Sequence, residues 1–479
     1  MLNFKEMIMN KLYRIATVLS LVLAFASVKA QTVSPVDFMR MNPYQMKANP
    51  AADLPYESVM SILFGDIDLD VRNTTLRYDN LFEFNAEGRP TTINLRQFAN
   101  SMKENNFLGL DANIDLFTLF RRIDNGMLKG MLTFNYGIKV QSDMDYNDGL
   151  FNFVGYGNSA FVGEDNPVKV NLDVNAQAYQ EFAVGYQMKV TDQLSLGGRA
   201  KLLFGFANVT TEACEAQLYT DPDSYALRLR ENVALKAGLP NVFYVDEGKL
   251  MTNGQFRVGD LFSNPGFGID LAAEYRLDDR FSVVAAVRDL GFIRWNLNNI
   301  GFTSQLDDAG QFYDNGDFLF NGLSAEQWGN ITTDNEYKEQ FLDSLQQYFH
   351  LEFAPIEKYT TALNTSVLLR GNYDFDSHNR FSAQMSGRSY GSGFRPALTF
   401  AYNGYFYDML DVCVTYTMMP NSYDNVGLGV SGRVSKTCNI YLTTNNIFGF
   451  FNPMNTSGMN VRLGMVFTLR PEDKNTEYE

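Results

Sequence analysis

The sequence predicts an all-β fold: a closed antiparallel transmembrane β-barrel of about 14 strands, with an N-terminal plug and long extracellular loops. Three observations predict it. Stretches of about ten residues alternate apolar and polar side chains, the connections between them are alternately short and long, and the chain begins with a secretory signal pattern. A tilted strand of that length can cross a bilayer with one face toward lipid and the other toward the lumen.

The first 30 residues have the features of a signal peptide. Basic side chains precede an apolar run at 15–25, and small residues lie before Gln31. Cleavage is therefore expected after Ala30, with Met9 as an alternative start of the precursor. After Ala30 no run of about 18 apolar residues occurs, which excludes an ordinary transmembrane helix.

Residues 31–57 show little periodicity and contain several turn-forming residues. Met41-Asn-Pro43 and the candidate plug residues Asn49, Pro50 and Ala51 are typical of irregular structure. We predict that this segment folds into the lumen of a barrel formed by residues 58–470. A flexible leader is the alternative.

The first part of the chain supplies seven strand-like runs, which begin near residues 58, 107, 128, 178, 194, 266 and 281. In the run from Lys129 to Val140, Leu132 and Phe134 face one way and Thr133 and Asn135 face the other. Long polar stretches separate several runs and are interpreted as loops. These loops are expected at 73–106 with a short helix at 93–103, at 145–177, at 209–265 with a hairpin around residues 221–224, and at 294–358 with a helix between 336 and 349.

The last third supplies seven more runs, at 359–375, 380–390, 396–406, 410–419, 426–435, 438–446 and 459–470. The final run resembles the C-terminal assembly signal of bacterial outer-membrane barrels, with Arg462, Gly464, Phe467 and Leu469 at the expected spacing. The resemblance implies recognition by the outer-membrane assembly machinery. It departs from that signal because a polar tail, 471–479, follows. The closing strand of a soluble sandwich would show the same alternation.

The lengths of the connections favour the barrel over the sandwich. Connections near residues 124, 192, 279, 377, 408 and 436 are short, whereas those at 73–106, 145–177, 209–265 and 294–358 are long. Short turns at one rim and long loops at the other are expected of an outer-membrane barrel, and a sandwich gives no reason for them.

Charge and cysteine content exclude two classes of function. Removal of the signal peptide changes the formal net charge from −16 to −19, so a basic nucleic-acid-binding surface is not expected. The three cysteines, Cys214, Cys413 and Cys438, are too few and too dispersed for a disulfide scaffold or a zinc site.

Several motifs resemble those of a family of uncharacterised Bacteroidetes outer-membrane barrels, distantly related to FadL-type and PorV-type barrels. The motifs are Asn49-Pro-Ala51, Gly185 within 180–186, Leu194-x-x-Gly197-x-x-x-Lys201-x-x-x-Gly205, Gly291-x-x-x-Trp295-x-x-Asn298 and the FLFNGL run at 318–323. The resemblance covers most of residues 40–470. It implies about 14 strands and an N-terminal plug but no established substrate. FadL-type lumens pass hydrophobic molecules, and PorV-type barrels serve protein secretion and surface attachment.

Two motifs resemble a hydrolase nucleophile and a calcium-binding loop, but each lacks residues that such a site needs. Gly387-Arg-Ser389-Tyr-Gly391 spells a nucleophile elbow, yet it lies at a strand end, and the two histidines, His350 and His378, are expected at opposite rims. Asp143 to Gly149 resembles the start of a calcium loop without its twelfth ligand, so solvated loop acids are the simpler interpretation. No enzyme activity, cofactor or metal site is predicted.

Charged residues on the polar faces of the strands are the candidate lumen-lining set: Glu181, Lys189, Arg199, Lys201, Glu274, Arg276, Arg288, Arg370, Arg388, Arg433 and Arg462. They could line a passage, or they could pair across the lumen and with the plug, and pairing is favoured because narrow charged interiors form networks.

The sequence therefore predicts an outer-membrane barrel in contact with membrane lipid and lipopolysaccharide. Its expected function is passive transport of a small molecule, hydrophobic ones included, without covalent chemistry. The alternative is a non-transporting scaffold for protein secretion or surface attachment, whose loops bind a partner protein. A soluble surface adhesin is the third interpretation.

Overall fold

The computed structural model describes residues 33–87, 89–124, 129–252, 254–304, 351–390, 393–419, 422–452, 456 and 458–469, together with positions 334, 337 and 340. Several predicted features lie outside these residues. They are the signal peptide, the polar tail, His350, the 318–323 motif and most of the helix expected between 336 and 349.

The described residues form 22 strands, labelled in chain order. They are β1 Ser58–Asn73, β2 Phe82–Phe84, β3 Pro90–Ile93, β4 Asn106–Asp124, β5 Lys129–Tyr146, β6 Val168–Lys189, β7 Leu194–Thr220, β8 Leu227–Gly238, β9 Tyr244–Asp246, β10 Lys249–Met251, β11 Pro265–Arg276, β12 Phe281–Trp295, β13 Asn299–Ser304, β14 Leu351–Pro355, β15 Tyr359–Ala362, β16 Ser366–Asp374, β17 Asn379–Tyr390, β18 Gly393–Phe406, β19 Leu410–Met419, β20 Ser422–Arg433, β21 Cys438–Thr444 and β22 Gly458–Leu469.

Fourteen strand positions close into an antiparallel barrel. The ring runs β1, β4, β5, β6, β7, β11, β12, β16, β17, β18, β19, β20, β21 and β22, and β22 pairs back with β1. The short strand β15 shares the position of β16, because both pair with β12. Each of the 14 runs predicted from the sequence corresponds to one position, so the prediction of a closed 14-stranded barrel is confirmed. Closure leaves the ring without an edge strand.

Side chains alternate between an apolar exterior and a polar interior. On β22, Leu469 is 49% exposed whereas its neighbour Thr468 is 4% exposed. The same alternation recurs around the ring, where exposed large apolar side chains include Leu69, Leu132, Val184, Leu202, Leu271, Leu369, Phe381, Val414, Val430 and Leu442. The exterior is therefore a surface suited to lipid, and the interior is polar.

The barrel has two different rims. Short turns at residues 190–193, 277–280, 375–378, 407–409 and 434–437 connect the strands at one end, which we call the turn rim. The longer connections lie at the other end, which we call the loop rim. The alternation of connection lengths predicted from the sequence is confirmed.

Strands continue beyond the barrel at the loop rim, where the sequence analysis expected loops. β7 has 27 residues; its first part pairs with β11, and its last part pairs with β8. β8 pairs in turn with β13, and β13 with β14. The expected loop at 145–177 was too long, because β5 ends at Tyr146 and β6 begins at Val168. The β7 extension carries polar residues on both faces, which hides it from a search for apolar alternation. The β6 extension does alternate, with Val168, Val170, Leu172 and Val174 on one face, and its interpretation as a loop overlooked that pattern.

Short hairpins and helices lie at the loop rim. Two small hairpins pair β2 with β3 and β9 with β10. The α-helices are Tyr78–Leu81, Leu95–Ser101, Gly149–Tyr156 and Ile447–Phe451, and the 3₁₀ helices outside the N-terminal segment are Asn158–Ala160 and Val258–Phe262. Leu95–Ser101 confirms the helix predicted at 93–103. Among the described residues, none of the helices has both the length and the hydropathy required to span a membrane.

The N-terminal segment, residues 33–57, lies inside the barrel at the turn rim and is the predicted plug. It contains two 3₁₀ helices, Pro35–Phe38 and Pro43–Lys47, each begun by a proline whose fixed φ suits the first helical position. Asn42 caps the second, because its side chain accepts a hydrogen bond from the Tyr44 amide at 3.0 Å. Tyr44 is fully buried and belongs to an apolar cluster shared by plug and wall.

Candidate functional site

The candidate plug residues Asn49, Pro50 and Ala51 pack against the inner wall. The Asn49 side chain accepts from the Ala51 amide at 3.1 Å and donates to Glu274 Oε2 at 2.8 Å. Beside them the wall is built from glycine: a Cβ at Gly197 would lie 2.0 Å from the Pro50 carbonyl oxygen. Only a residue without a side chain lets the plug approach this closely.

Lys47 anchors the middle of the plug to two strands. Its Nζ lies 2.8 Å from Asp66 on β1 and 2.8 Å from Asp115 on β4. Asp66 also receives a two-point contact from Arg462, with distances of 2.8 and 3.0 Å. Both carboxylates are buried, and Lys47 neutralises Asp115, which Arg462 does not contact.

A second ionic contact fixes the plug at the turn rim. Asp53 lies 2.7 Å from Lys189 Nζ and 3.0 Å from Arg122. Burial alone would raise the pKa of Asp53, but the hydrogen bonds and charges of Lys189 and Arg122 outweigh it. The net pKa therefore lies below its ordinary value.

Between the plug and the loop rim the lumen contains a chamber of about 150 Å³. Its charged lining comprises seven acidic and seven basic side chains, so it is electrically balanced. They are Asp37, Asp66, Asp68, Asp70, Asp111, Glu181 and Asp289, and Lys47, Arg72, Lys139, Arg199, Arg288, Arg388 and Arg462. Ser34, Asn113, Gln141, Ser366, Asn445 and Asn460 complete the lining.

A network of ion pairs fills the wall beside the chamber. Lys201 is 1% exposed and lies 2.8 Å from Asp270, 2.6 Å from Asp289 and 3.5 Å from Glu181. Arg199 pairs with the same Asp270 at 2.5 Å. Removing one partner would leave a buried charge uncompensated, which is costly. The network therefore holds these side chains in fixed positions and rigidifies the wall.

Asp289 reaches this network through an irregularity of the strand. It adopts a φ of 54° within β12, and the register between β11 and β12 shifts beside it. The bulge turns the Asp289 carboxylate inward, where Lys201 and Lys139 bind it. The neighbouring position of the ring, which β15 and β16 share, is also interrupted, at residues 363–365.

The predicted lumen-lining residues lie at three levels. Glu181, Arg199, Arg288, Arg388 and Arg462 line the chamber. Lys201 and Arg370 are buried beside it or beside the plug; Arg370 donates to the Asp37 carbonyl at 2.6 Å and lies 4.3 Å above the Phe38 ring. The other four lie lower or at a rim: Lys189 and Glu274 contact the plug, Arg433 donates to Tyr405, and Arg276 is exposed.

Part of the site was not predicted from the sequence. The omitted charged residues of the wall are Asp66, Asp68, Asp70, Arg72, Asp111, Asp115, Lys139, Asp270 and Asp289, and those of the plug are Asp37 and Lys47. All of the wall residues but Asp289 lie on the polar face of an alternating run, which is the signal that could have identified them. Asp289 gives no such signal, because its bulge breaks the period.

Two residues of the acidic run from Asp143 to Asp148 are not in a loop. Asp143 and Asp145 lie on β5 inside the barrel, where Arg395 approaches them at 3.7 and 3.2 Å. The interpretation as loop acids was wrong for these two, because the strand ends at Tyr146, whereas Asp148 lies in the connection that follows. Among the described residues, no cluster of three or more histidine, cysteine, aspartate or glutamate side chains has the arrangement of a metal site.

An apolar groove lies on the outside of the same wall. It has a volume of about 670 Å³ and is floored by small residues that include Gly198, Ala273 and Ala285, with Leu271 and Val367 at its sides. On the inner side of this wall, Ala272, Ala286 and Leu368 pack with Ala48 and Ala51 of the plug. The groove and the plug are thus separated by a single layer of backbone.

Comparisons with known proteins give one sequence family and several structures of similar shape. A family model described as "Family of unknown function (DUF5723)" matches residues 50–445. No curated protein matches the chain.

Among solved structures, the chain is similar to a Pseudomonas aeruginosa FadL homologue, with 12% identity, a TM-score of 0.42 and coverage of 91% of this chain and 97% of that one. It is also similar to the Pseudomonas putida toluene transporter TodX, with 9% identity, a TM-score of 0.40 and coverage of 92% and 98%. The Ralstonia pickettii toluene transporter TbuX gives 8% identity, a TM-score of 0.41 and coverage of 92% and 99%.

Proposed function

Because the chain belongs to DUF5723, a family of unknown function, we propose its role from the geometry of the barrel: passive passage of a small molecule across an outer membrane, controlled by the plug. No covalent chemistry is part of this role. The observation that supports this proposal is the position of the plug. It closes one end of a lumen that contains a charged chamber, and side chains hold it in place.

An outer-membrane location is supported by the exterior of the barrel. Apolar side chains face outward around the ring, and the polar and charged side chains of the same strands face inward. Such a surface is unfavourable in water and favourable in lipid. The expected contacts with lipid and lipopolysaccharide, and assembly by outer-membrane machinery, follow from that location.

The way the plug is held makes movement feasible. Residues 33–57 contribute no strand to the barrel ladder, and the segment joins the wall covalently only where it continues into β1. At that junction the Glu57 backbone extends the ladder, with hydrogen bonds to Leu469 and Arg122. The attachments farther along the segment involve side chains, such as Lys47 with Asp66 and Asp53 with Lys189. The plug can therefore shift without opening the hydrogen-bonded ring.

The chamber favours polar solutes over apolar ones. An apolar molecule entering it would remove water from charged groups without replacing their hydrogen bonds. A hydrophobic solute, which the sequence analysis included, fits the apolar outer groove instead, on the lipid side of the wall that Ala48 and Ala51 contact.

A reversible lock on the plug tests the proposal. A Cβ at Gly429 would lie 3.0 Å from Pro35 Cβ, so a shift of the plug by about 0.5 Å would bring the two Cβ atoms to the separation of about 3.5–4.5 Å that a disulfide needs. The variant Pro35→Cys, Gly429→Cys would be made in a Cys413→Ala background, since Cys413 faces Gly429 across the ladder. The Cys413→Ala protein is the control.

Solute entry would be measured by swelling of proteoliposomes carrying the purified barrel. We expect the oxidised variant to admit less solute than the reduced one, and the control to be insensitive to reductant. Equal entry in both redox states would rule out a role for the plug. No entry in any state would favour the alternative, a non-transporting scaffold.

A cluster of exposed phenylalanines at the loop rim favours the non-transporting scaffold. Phe448, Phe450 and Phe451 of the helix Ile447–Phe451 are 55%, 45% and 83% exposed at the loop rim. Exposed aromatic side chains close together are typical of protein-binding surfaces. A scaffold of this kind would keep its partner-binding capacity when the plug is locked, which a pull-down with the oxidised variant measures.

A further inference from the structure

The charged lining of the chamber is paired almost completely. Six of its seven cations lie within 4.0 Å of a carboxylate: Lys47, Arg72, Lys139, Arg199, Arg388 and Arg462. Six of its seven carboxylates are likewise paired: Asp37, Asp66, Asp70, Asp111, Glu181 and Asp289. Within the described part of the chain, Asp68 and Arg288 have no ion-pair partner. The chamber thus presents one available anion and one available cation.

These two groups lie on opposite walls. Asp68 is on β1 and Arg288 on β12, which is six positions from β1 in the ring of fourteen. The diameter of the lumen therefore separates them, and they cannot neutralise each other. The chamber lies between them, because both line it.

Asp68 is flanked by two asparagines, and the cation that faces it across the ladder, Arg462, donates its hydrogen bonds to Asp66 instead. Asn460 donates its Nδ2 to Asp68 Oδ1 at 2.8 Å and to the Leu69 carbonyl at 3.0 Å. Asn445 donates its Nδ2 to Asp70 Oδ2 at 3.4 Å. Since these partners can only accept, the orientation of both amides is fixed and their Oδ1 atoms point elsewhere.

Both of these amide oxygens are buried without a hydrogen-bond partner. Asn460 is 2% exposed and Asn445 is 6% exposed, and both side chains line the chamber. A buried acceptor without a donor is costly, so these two amide oxygens favour a ligand that supplies N–H donors. A primary ammonium group carries three N–H donors and a positive charge.

Arg288 offers a positive charge and N–H donors to the chamber, so it suits an anionic acceptor. Its Nε donates to Ser366 Oγ at 3.2 Å, and its Nη1 donates to the Lys47 carbonyl at 3.4 Å. A guanidinium has five N–H donors in a fork that matches the two oxygens of a carboxylate. The remaining donors of Arg288 and the Ser366 hydroxyl face the chamber.

We propose that the chamber binds a small zwitterion that carries a primary ammonium group at one end and a carboxylate at the other, as amino acids and short peptides do. The ammonium group binds Asp68, Asn445 and Asn460, and the carboxylate binds Arg288 and Ser366. The inference rests on the proposed passage function, for which it names the class of solute.

Binding to the detergent-purified, folded barrel tests the assignment. The probes are glycine, 4-aminobutanoate, 6-aminohexanoate and triglycine, which place their charges at increasing separations, with butylamine and butanoate as singly charged counterparts. Isothermal titration calorimetry would measure each affinity. We expect at least one zwitterion to bind about tenfold or more tightly than either counterpart, because each end contributes a charge-assisted hydrogen bond.

Two variants with matched controls assign the two ends. Asp68→Asn should weaken binding of the zwitterion and of butylamine but not of butanoate, and Arg288→Gln should weaken binding of the zwitterion and of butanoate only. The controls are Asp408→Asn, on an exposed turn, and Arg294→Gln, on the outer face of the same strand as Arg288. Folding of each variant would be checked by its heat-dependent mobility in gels.

The outcomes separate this inference from the proposed function. Absence of saturable binding by every zwitterion, or equal affinities in variants and controls, would overturn the site even if proteoliposomes admit other solutes. Binding with the expected pattern in a barrel that admits no solute would preserve the site and reject passage.

Discussion

At the scale of single residues, the plug is held by charges whose partners lie on the wall. Lys47 reaches two strands, and Asp53 binds one lysine and one arginine near the turn rim. These contacts are individually exchangeable, unlike the backbone ladder of the ring. Burial would raise the pKa of Asp53, but Lys189 and Arg122 lower it below its ordinary value, so this contact favours the charged carboxylate.

The Asp53 contact gives a prediction about pH. A carboxyl group whose pKa is lowered in the folded state stabilises that state above its unfolded pKa of about 3.9, and the stabilisation is lost as pH falls through the lowered value. We therefore expect amide hydrogen exchange in residues 50–57, corrected for intrinsic rates, to be constant from about pH 8 to 5 and faster below about pH 4.

Asp53→Asn tests the assignment of this effect. Its exchange in residues 50–57 should be faster than in the unmodified protein at neutral pH, because the ionic contacts with Lys189 and Arg122 are absent. Asp408→Asn should leave exchange unchanged. If the plug already loosened between pH 6 and 5, Asp53 would not be the group responsible.

At the scale of elements, the fit between plug and wall depends on the two faces of β7. Gly197 faces inward, against Pro50 and Ala51, whereas Gly198 faces the outer groove, where the nearest atom to an added Cβ, Leu271 Cδ2, is 3.4 Å away. Adjacent positions on one strand therefore differ in whether they tolerate a side chain. This follows from the period of two in a strand.

The pair Gly197→Val and Gly198→Val tests this fit. Valine at 197 would overlap the Pro50 carbonyl, so the plug should be displaced while the barrel itself still closes. We expect limited proteolysis to cut within residues 43–57 several-fold faster in Gly197→Val than in Gly198→Val. Equal resistance of the two variants would show that the wall, and not the plug, yields.

At the scale of the whole molecule, the barrel has an apolar exterior, which would contact lipid in the proposed outer-membrane location. Leu202 on β7 is 51% exposed on this surface. Val258 is 72% exposed but belongs to the helix Val258–Phe262, beyond the barrel wall. The same substitution at these two positions therefore separates a lipid-facing site from a water-facing one.

Leu202→Arg should destabilise the barrel in phospholipid vesicles by about 2–4 kcal/mol if the position lies near the bilayer midplane. Val258→Arg should change stability by less than about 0.5 kcal/mol, because that side chain stays in water. Urea unfolding followed by tryptophan fluorescence would measure both. Similar costs at the two positions would argue against a membrane-embedded wall.

The sequence by itself determined the 14 strand positions, the two rims and the location of the plug segment. Alternation with a period of two carries that information wherever one face is apolar, as from Met459 to Leu469, and Asn49-Pro50-Ala51 could not form a strand. The outer extension of β7 escaped detection because polar residues lie on both of its faces, whereas that of β6 alternates from Val168 to Val174 and could have been recognised as a strand.

Only the tertiary structure decided which charges are paired. Glu181, Lys201 and Asp289 lie far apart in sequence, and Asp289 turns inward through a bulge that interrupts the period. A strand pattern fixes which face a side chain lies on, but not which side chain meets it across the lumen. The pairing depends on ring closure and on the depth at which Lys47 enters the lumen. Together these leave Asp68 and Arg288, on opposite walls, without an ion-pair partner among the described residues.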